Sequence, residues 1–281
     1  MTSSVSTPLD GRVALVTGAG RGIGRAHALE LASRGAAVVV NDLGTALDGT
    51  GADASSAQEV VAEIVAAGGR ATADASDIAS LAGGRAAVER ALDAFGRIDI
   101  VINNAGFASG GGTVEAPVEA EIDALLAVHF IGTLATMSAA FPHMAAQEWG
   151  RVVNTVSEVA LDSRFGGSLG YNVAKAAVWS ATLVAAREGA DVGITVNAIS
   201  PAARTRMNAD LLGAGFRDGT SRGLDLDPAH VARVAAFLAS DDAADVTGRI
   251  VHVAGSAVRE YTTARSSRTE LVDRIVRWLA S

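Results

Sequence analysis

Short apolar runs rich in β-branched residues recur along this chain and alternate with stretches of helical spacing. The clearest runs are VALVTG at 13–18, AAVVVND at 36–42, RIDIVINNAG at 97–106, GRVVNTVS at 150–157, GITVNAIS at 193–200 and GRIVHVAG at 248–255, with a weaker RATADAS at 70–76. Parallel strands need long crossovers, and strands covered by helices on both faces are apolar along their whole length. The pattern therefore predicts an α/β fold, with one doubly wound parallel sheet of about seven strands and helices on both faces.

The chain is predicted to form a single domain. No internal repeat and no Pro- or Ser-rich linker divides its 281 residues, and 49% hydrophobic against 19% charged residues excludes a disordered chain. We expect a disordered N-terminal tail over 1–10 and a folded domain over 11–256. Residues 257–281 are expected to form a C-terminal extension that packs on the same domain or on a neighbouring subunit.

Charge and cysteine content exclude several partners and mechanisms. The net charge of −8 repels nucleic-acid backbones, and the cations are scattered along the chain. The absence of cysteine excludes disulfides, zinc thiolates and thiol nucleophiles, and no metal site is expected. The N-terminus lacks the basic start and apolar core of a targeting signal, and no apolar run approaches the roughly 20 residues of a membrane span. We therefore expect a cytoplasmic protein that binds neither nucleic acid nor membrane.

A glycine-rich segment, TGAGRGIG at 17–24, closes the first predicted strand and opens the first predicted helix. Glycines let the backbone approach a pyrophosphate, and the free N–H groups of a helix start attract its negative charge. The strict G-x-G-x-x-G spacing fails because Ile23 occupies the last glycine position. A tight turn that only packs strand on helix is the alternative. The segment indicates a dinucleotide site with contacts from Gly18, Arg21, Gly22, Ile23 and Gly24.

An acidic residue at the end of the second strand indicates which dinucleotide is bound. Asp42 lies 20 residues after Gly22, where a carboxylate can accept both ribose hydroxyls and repel a 2′-phosphate. A turn aspartate in Asn-Asp-Leu-Gly is the alternative. Arg21 argues the other way, because a cation beside the phosphate loop would attract the extra phosphate of NADP. Asp42 is the better placed of the two, so the sequence favours NAD.

Tyr171 and Lys175 are four residues apart in a predicted helix, so their side chains share one face. A free phenol titrates near pH 10, and an ammonium within about 4–6 Å lowers that pKa by roughly 1–3 units, toward that of a general base. Lys175 is the single lysine among 23 Lys and Arg residues, and chance would place it four after a tyrosine in about 0.7% of cases. Arginine cannot replace a compact ammonium here. The pair therefore indicates proton transfer.

Four ordered motifs resemble those of the short-chain dehydrogenase/reductase family. They are T-G-x-x-x-G-x-G at 17–24, N-N-A-G at 103–106, Y-x-x-x-K at 171–175 and an altered P-G-x-x-x-T at 201–205. The resemblance extends from about Gly11 to Gly255. It implies a Rossmann-type fold, a nicotinamide cofactor and a homodimer or homotetramer.

Details of the motifs resemble one branch of that family more than others. VVVNDLG after the second helix, His129 in VHFIG and PAARTRM at 201–207 are similar to the (3R)-hydroxyacyl-CoA dehydrogenase part of multifunctional β-oxidation enzymes and related bacterial proteins. The segment 206–226 would then cover the substrate. The cofactor contacts that the resemblance implies are adenine at Asp74 and Ala75, adenosine ribose at Asn103, Ala105 and Gly106, and nicotinamide carboxamide at Pro201 and Thr205.

The catalytic serine departs from the family spacing. It usually lies 13 residues before the tyrosine, but that position is Glu158, and Ser157 lies 14 before Tyr171. We favour Ser157 with a one-residue insertion, because it ends the predicted strand as the family serine does. Ser163 and Ser168 remain alternatives.

Two further positions depart from the family pattern. His129 stands where the family has a relay asparagine, and either relays and orients groups or is a buried core histidine. Ala202 replaces the glycine that usually follows Pro201.

The sequence as a whole predicts an oxidoreductase that transfers hydride between NAD and a secondary alcohol or ketone. Tyr171 is the expected base, supported by Lys175, Ser157 and His129. A 3-hydroxyacyl-CoA or a steroid-like alcohol fits as substrate. The alternatives are an NADPH-dependent 3-oxoacyl reductase acting on ACP or CoA thioesters, and a non-catalytic NAD-binding scaffold or sensor.

Overall fold

The computed structural model describes residues 8–45, 51, 53–107, 110–160, 162, 166–205 and 225–261. Two of the site predictions therefore fall on residues outside the described ranges. They are the substrate-covering segment 206–226, apart from Asp225 and Leu226, and the alternative catalytic residue Ser163.

One sheet runs through the described part of the chain. Its strands are β1 Val13–Thr17, β2 Ala37–Asn41, β3 Arg70–Asp74, β4 Ile100–Asn103, β5 Gly150–Thr155, β6 Ile194–Ala202, β7 Ile250–Ala254 and β8 Ala257–Tyr261. The spatial order is β3-β2-β1-β4-β5-β6-β7-β8. Strands β1 to β7 pair in parallel, and β8 pairs antiparallel with β7. The predicted doubly wound parallel sheet is confirmed, and β8 is added at its edge.

Helices connect the strands in the predicted alternation. They are α1 Gly22–Ser33, α2 Ser55–Ala66, α3 Leu81–Phe95, α4 Glu119–Leu125, a π-helical segment Leu126–Ile131, α5 Gly132–Ala146, α6 Leu169–Gly189 and α7 Pro228–Leu238. A short 3₁₀ turn, Glu158–Ala160, follows β5. Side-chain caps mark the starts of two of these helices. Ser80 accepts the Gly83 N–H at the start of α3, and Asp227 accepts the Ala229 N–H at the start of α7.

Alternation along the strands sorts the core into two layers. Successive strand side chains point to opposite faces, so Val13 and Leu15 lie in one layer while Ala14 and Val16 lie in the other. The first layer packs against α3, α5 and α6, and the second against α1, α2 and α7. The central strands β1, β2, β4, β5, β6 and β7 are therefore buried on both faces, which is why their runs read as continuously apolar, whereas β3 and β8 at the two edges are partly exposed.

Both ends of the predicted domain extend further than expected. Leu9, placed by the sequence in a disordered tail, is fully buried, and its N–H donates to the Arg34 carbonyl over 3.0 Å. The tail prediction thus concerns only residues 1–7, outside the described ranges. At the other end, 257–261 of the predicted extension pair with β7 on the same domain, and 262–281 again lie outside.

The continuous helical stretch Glu119–Ala146 is long and apolar enough to cross a membrane by length and composition alone. It is 44% buried over its most apolar window, and α5 within it packs against α3. Core helices of soluble proteins pass the same test, so the stretch is a layer of this domain.

The sheet changes direction of winding at β1. The chain runs outward from β1 through β2 to β3, then returns to β4 on the other side. In such sheets ligands bind beyond the carboxyl ends of the strands at this reversal. The glycine-rich segment after β1 and the N-N-A-G motif after β4 both lie there.

Candidate active site

Hydrogen bonds join the glycine-rich segment to the N-N-A-G motif at the carboxyl ends of β1 and β4. The Thr17 hydroxyl accepts the N–H groups of Asn104 and Ala105, both over 3.1 Å, and the Asn104 amide donates to the Thr17 carbonyl over 3.0 Å. Gly18 has a φ of +63°, and a Cβ there would lie 2.8 Å from the Ala105 Cα. Only glycine allows this close approach, so the two predicted cofactor segments form one backbone surface.

The start of α1 has the features of a helix start that attracts an anion. Arg21 precedes the helix without capping it, and the first turn carries no acidic residue. Gly24 leaves no room for a Cβ, which would lie 2.0 Å from the Gly18 carbonyl oxygen, while Ile23 packs against the core. The first N–H groups of a helix have no intrahelical acceptor. The segment therefore fits the pyrophosphate of a dinucleotide, as the spacing predicts.

Residues from β6 approach the same loop. A Cβ on Gly22 would lie 3.7 Å from the Thr205 side chain, so Thr205 stands beside the helix start. Pro201 and Ala202 end β6, where they pair with Val253 and Ala254 of β7. Alanine in place of the family glycine thus fits a regular strand, and the P-x-x-x-T stretch reaches the cofactor cleft.

Asp42 follows β2 and accepts hydrogen bonds from the glycine-rich segment and from its own turn. Its Oδ2 accepts the Gly20 N–H and its Oδ1 accepts the Gly44 N–H, each over 2.7 Å. The second bond is the predicted Asx turn, and the first directs the carboxylate to the glycine loop. Asp53, which the sequence analysis missed, adds a second carboxylate beside Arg21. Hydrogen bonds from Ser55 lower the pKa of Asp53, and attraction to Arg21 lowers it further.

The predicted adenine and ribose contacts differ in how free their side chains are. Asp74 is held by Asn41 over 2.6 Å and by Ser76, and the neighbouring Ala75 is exposed. Asn103 is buried, donates to Asn154 over 2.9 Å and accepts from the Thr136 hydroxyl over 2.6 Å. Its amide is therefore used inside the protein, which leaves its backbone for a cofactor contact.

Ser157, Tyr171 and Lys175 come together between the end of β5 and the start of α6. A hydrogen bond joins the Ser157 and Tyr171 side chains. Lys175 is buried, its Nζ donates to the Thr155 carbonyl over 2.8 Å, and it lies 5.8 Å from the centre of the Tyr171 ring. A backbone carbonyl leaves no mark in a sequence motif, so the Thr155 contact was not predicted.

Burial dominates the titration of this group. Burial raises the pKa of Tyr171, and the hydrogen bond from Ser157 lowers that pKa by a smaller amount. The prediction that Lys175 gives Tyr171 a lowered pKa is therefore wrong for the protein without cofactor. Burial also lowers the pKa of Lys175 to about 7. The physical reason is that the low-polarity interior disfavours both charged forms.

His129 lies in the π-helical segment, directly beside Tyr171. Its ring meets the Tyr171 ring edge-on at 5.4 Å between centroids, and its Nε2 lies 2.7 Å from the Phe107 carbonyl oxygen. Burial, and then the charge of Lys175, hold the pKa of His129 well below its usual range. A Cβ on Gly106 would lie 2.0 Å from the His129 Cε1, so the motif glycine makes room for the ring. His129 thus lies with its Nε2 against the Phe107 backbone, buried as a core histidine is and in contact with the predicted base.

A glycine-rich loop at the start of α1, an acidic residue after β2 and a Ser-Tyr-Lys group on one α/β sheet are together typical of a nicotinamide-dependent oxidoreductase of the short-chain type. The profile of the short chain dehydrogenase family matches residues 12–212. The chain belongs to this family.

Individual relatives match over most of this chain. A hydroxyacyl-CoA dehydrogenase of Mycobacterium tuberculosis is 40% identical over 264 residues, covering 90% of this chain and 80% of that protein. The peroxisomal hydratase-dehydrogenase-epimerase of Saccharomyces cerevisiae is 41% identical over 201 residues, covering 72% of this chain but 22% of the longer relative. The crystal structure of a short chain dehydrogenase from Mycobacterium avium superimposes with a TM-score of 0.78 at 37% identity, covering 97% of this chain and 96% of that one.

These findings confirm the resemblance to the dehydrogenase part of multifunctional β-oxidation enzymes. The protein is an oxidoreductase that transfers hydride between a nicotinamide cofactor and the CH–OH group of a small-molecule secondary alcohol, or the corresponding ketone.

Proposed function

We propose that the protein is an NAD-dependent dehydrogenase of 3-hydroxyacyl-CoA thioesters, with Ser157, Tyr171 and Lys175 as its catalytic residues. The observation that carries the catalytic part is the contact of Ser157 with Tyr171 above a buried Lys175. The substrate class rests on the hydroxyacyl-CoA dehydrogenase named among the relatives. A steroid-like alcohol remains the competing substrate.

Proton transfer is assigned to Tyr171. A nicotinamide cofactor held beside the glycine-rich loop would supply the acceptor for the hydride that leaves the alcohol carbon. Tyr171 takes the hydroxyl proton, and Ser157 donates a hydrogen bond to the oxygen that becomes the carbonyl. Since burial raises the pKa of Tyr171 and lowers that of Lys175 to about 7, the lysine can accept or supply a proton near neutral pH. Its bond to the Thr155 carbonyl keeps the ammonium beside the phenol.

His129 is assigned an orienting role. Its edge-on contact limits where the Tyr171 ring can move, and the bond to Phe107 fixes the histidine ring itself. Because its pKa is held well below the usual range, it keeps this geometry without adding a positive charge near Lys175.

The preference for NAD over NADP is assigned to carboxylates at the ribose end. Asp42 points at the glycine loop, where its charge would repel a 2′-phosphate. Arg21, the cation beside the glycine loop, is attracted to the Asp53 carboxylate, which offsets part of its pull on that phosphate. Both contacts support NAD as the cofactor.

The proposal includes a homo-oligomeric assembly and a cytoplasmic location. Apolar side chains are exposed on the surfaces of α5 and α6, which supports a homodimer or homotetramer: Leu134, Val173, Leu183 and Val184. Light scattering of the purified chain should give twofold or fourfold the chain mass of 28.3 kDa, and a monomer would refute the assembly. The cytoplasm is the proposed compartment, to be checked by cell fractionation.

The deciding experiment is an assay of NADH formation with a (3R)-3-hydroxyacyl-CoA, run beside its 3S epimer, a steroid alcohol panel and NADP⁺. We expect turnover of the 3R thioester with NAD⁺. Faster turnover of a steroid alcohol would refute the substrate class, and preferred reduction of 3-oxoacyl thioesters by NADPH would favour the reductase alternative. Binding of NADH without turnover of any compound would favour a scaffold.

A further inference from the structure

A polar cluster of three residues, Glu158, His252 and Tyr261, adjoins the catalytic group but belongs to none of the family motifs. Glu158 follows Ser157 directly and begins the 3₁₀ turn Glu158–Ala160. Its Oε1 accepts the Tyr261 hydroxyl over 2.5 Å and lies 3.3 Å from the His252 Nδ1. Tyr261 ends β8 and His252 lies in β7. One carboxylate oxygen therefore bonds the turn after β5 to β8 and lies beside His252 of β7.

The cluster is built into the interior and is not a surface ion pair. The His252 side chain is 9% exposed and the Glu158 side chain 24%. The rings of His252 and Tyr261 meet edge-on at 6.2 Å between centroids, and Tyr261 packs against a small apolar cluster that includes Val156. A hydrogen bond to a partly buried carboxylate is stronger than an exposed neutral one. The Glu158 side chain is consequently held in one position.

Fixing the Glu158 side chain also restricts the position of the neighbouring Ser157. The Ser157 carbonyl accepts the Ala160 N–H over 3.1 Å, so Ser157 and Glu158 are parts of the same short turn. On the other side of Ser157, the Val156 N–H donates to the Ile199 carbonyl in β6. Ser157 thus stands between a strand anchor and the carboxylate anchor, and its hydroxyl contacts Tyr171. A turn lacking the second anchor would leave that hydroxyl free to rotate or shift away from the phenol.

We infer that Glu158 is a positioning residue, whose bond to Tyr261 of the antiparallel edge strand sets the Ser157 hydroxyl against Tyr171. The inference rests on the proposed function in taking Ser157 as the residue that orients the reacting oxygen. It assigns a role to β8, the strand that the sequence pattern did not predict.

Tyrosine NMR tests the inference without needing turnover. The chain has two tyrosines, Tyr171 and Tyr261. Labelling tyrosine at the ring carbon that bears the hydroxyl therefore gives two signals, which Tyr171→Phe assigns. Ser157→Ala removes the hydrogen bond to Tyr171 directly and defines the signal of the unbonded phenol. In Tyr261→Phe, which deletes a single oxygen atom, the one remaining signal belongs to Tyr171.

We expect Tyr261→Phe and Glu158→Ala to move the Tyr171 signal toward its position in Ser157→Ala. Glu158→Gln keeps an acceptor oxygen and removes the charge, so it should leave the signal near that of the wild type. Glu260→Gln is the matched control, because the Glu260 pair with Arg249 also joins β8 to the start of β7 but does not contact the turn. An unmoved Tyr171 signal in Tyr261→Phe would overturn the inference. So would equal shifts in Glu158→Gln and Glu158→Ala, which would indicate charge and not position.

Kinetics supply a second readout. A displaced hydroxyl should lower kcat for the hydroxyacyl-CoA by about tenfold in Tyr261→Phe, with KM for NAD⁺ unchanged. In a Ser157→Ala background the same substitution should have no further effect, whereas a purely structural role would lower kcat in both backgrounds and refute the inference. If the wild type oxidises no hydroxyacyl-CoA, the proposed function fails while the NMR comparison still decides the role of Glu158.

Discussion

Acid sensitivity of folding follows from a histidine outside the active site. His27 lies on the inner face of α1, where it is 2% exposed, and its Nδ1 has no hydrogen-bond partner among the described residues. Burial lowers the pKa of His27 from 6.5 to about 4. The unfolded chain therefore binds a proton at this residue at a pH where the folded protein does not. This difference costs no stability above pH 6.5. As the pH falls from 6.5 toward 4, it lowers the free energy of unfolding increasingly, because the unfolded chain is protonated first.

Proton linkage gives the size of the effect. With a pKa of 6.5 in the unfolded chain and about 4 in the folded protein, the free energy of unfolding falls by about 2 kcal/mol between pH 8 and pH 5. The full loss, well below pH 4, is about 3 kcal/mol. Burial lowers the pKa of His129 and His252 as well, so the wild type should lose more than this in total.

Urea unfolding at pH 8 and pH 5 isolates the share of His27. In His27→Leu the difference between the two free energies of unfolding should be smaller than in the wild type by about 2 kcal/mol. His143→Leu is the matched control, since His143 is exposed on α5 and its removal should leave the difference as in the wild type. An equal pH difference in His27→Leu and the wild type would refute the assigned burial of His27.

Three substitutions test the site. Tyr171→Phe should remove nearly all turnover while NADH affinity, followed by tryptophan quenching, stays within about twofold, because the phenol acts in proton transfer; retained turnover would contradict its role as base. Asp42→Asn should weaken the preference for NADH over NADPH by about tenfold, or 1.4 kcal/mol, in paired binding titrations, and an unchanged ratio would assign selectivity elsewhere. Gly106→Ala should lower kcat by about tenfold or more, because its Cβ would lie 2.0 Å from the His129 ring and must displace it; wild-type kcat would remove His129 from the mechanism.

Patterns among neighbouring residues were enough to predict the sheet, the glycine-rich loop and the Tyr-Lys pair. The alternation of apolar runs and helical windows predicted the parallel sheet, because a strand covered on both faces has to be apolar throughout. The glycine-rich segment predicted a backbone surface at the start of α1, since the required conformation at Gly18 is itself a local property. Tyr171 and Lys175 share a helix face for the same reason. Each of these signals lies within a few neighbouring residues.

Tertiary structure decided what depends on residues far apart in the chain. β8 pairs antiparallel with β7 at the edge of the sheet, a partner that its five residues do not specify by themselves. The pKa of Tyr171 rises because packing removes water from the phenol. The four-residue spacing to Lys175 does not reveal this burial. Glu158 meets Tyr261 across 103 positions, since the sheet brings the ends of β5 and β8 together. Sequence spacing thus defines the chemical groups, and the fold determines their burial, contacts and titration.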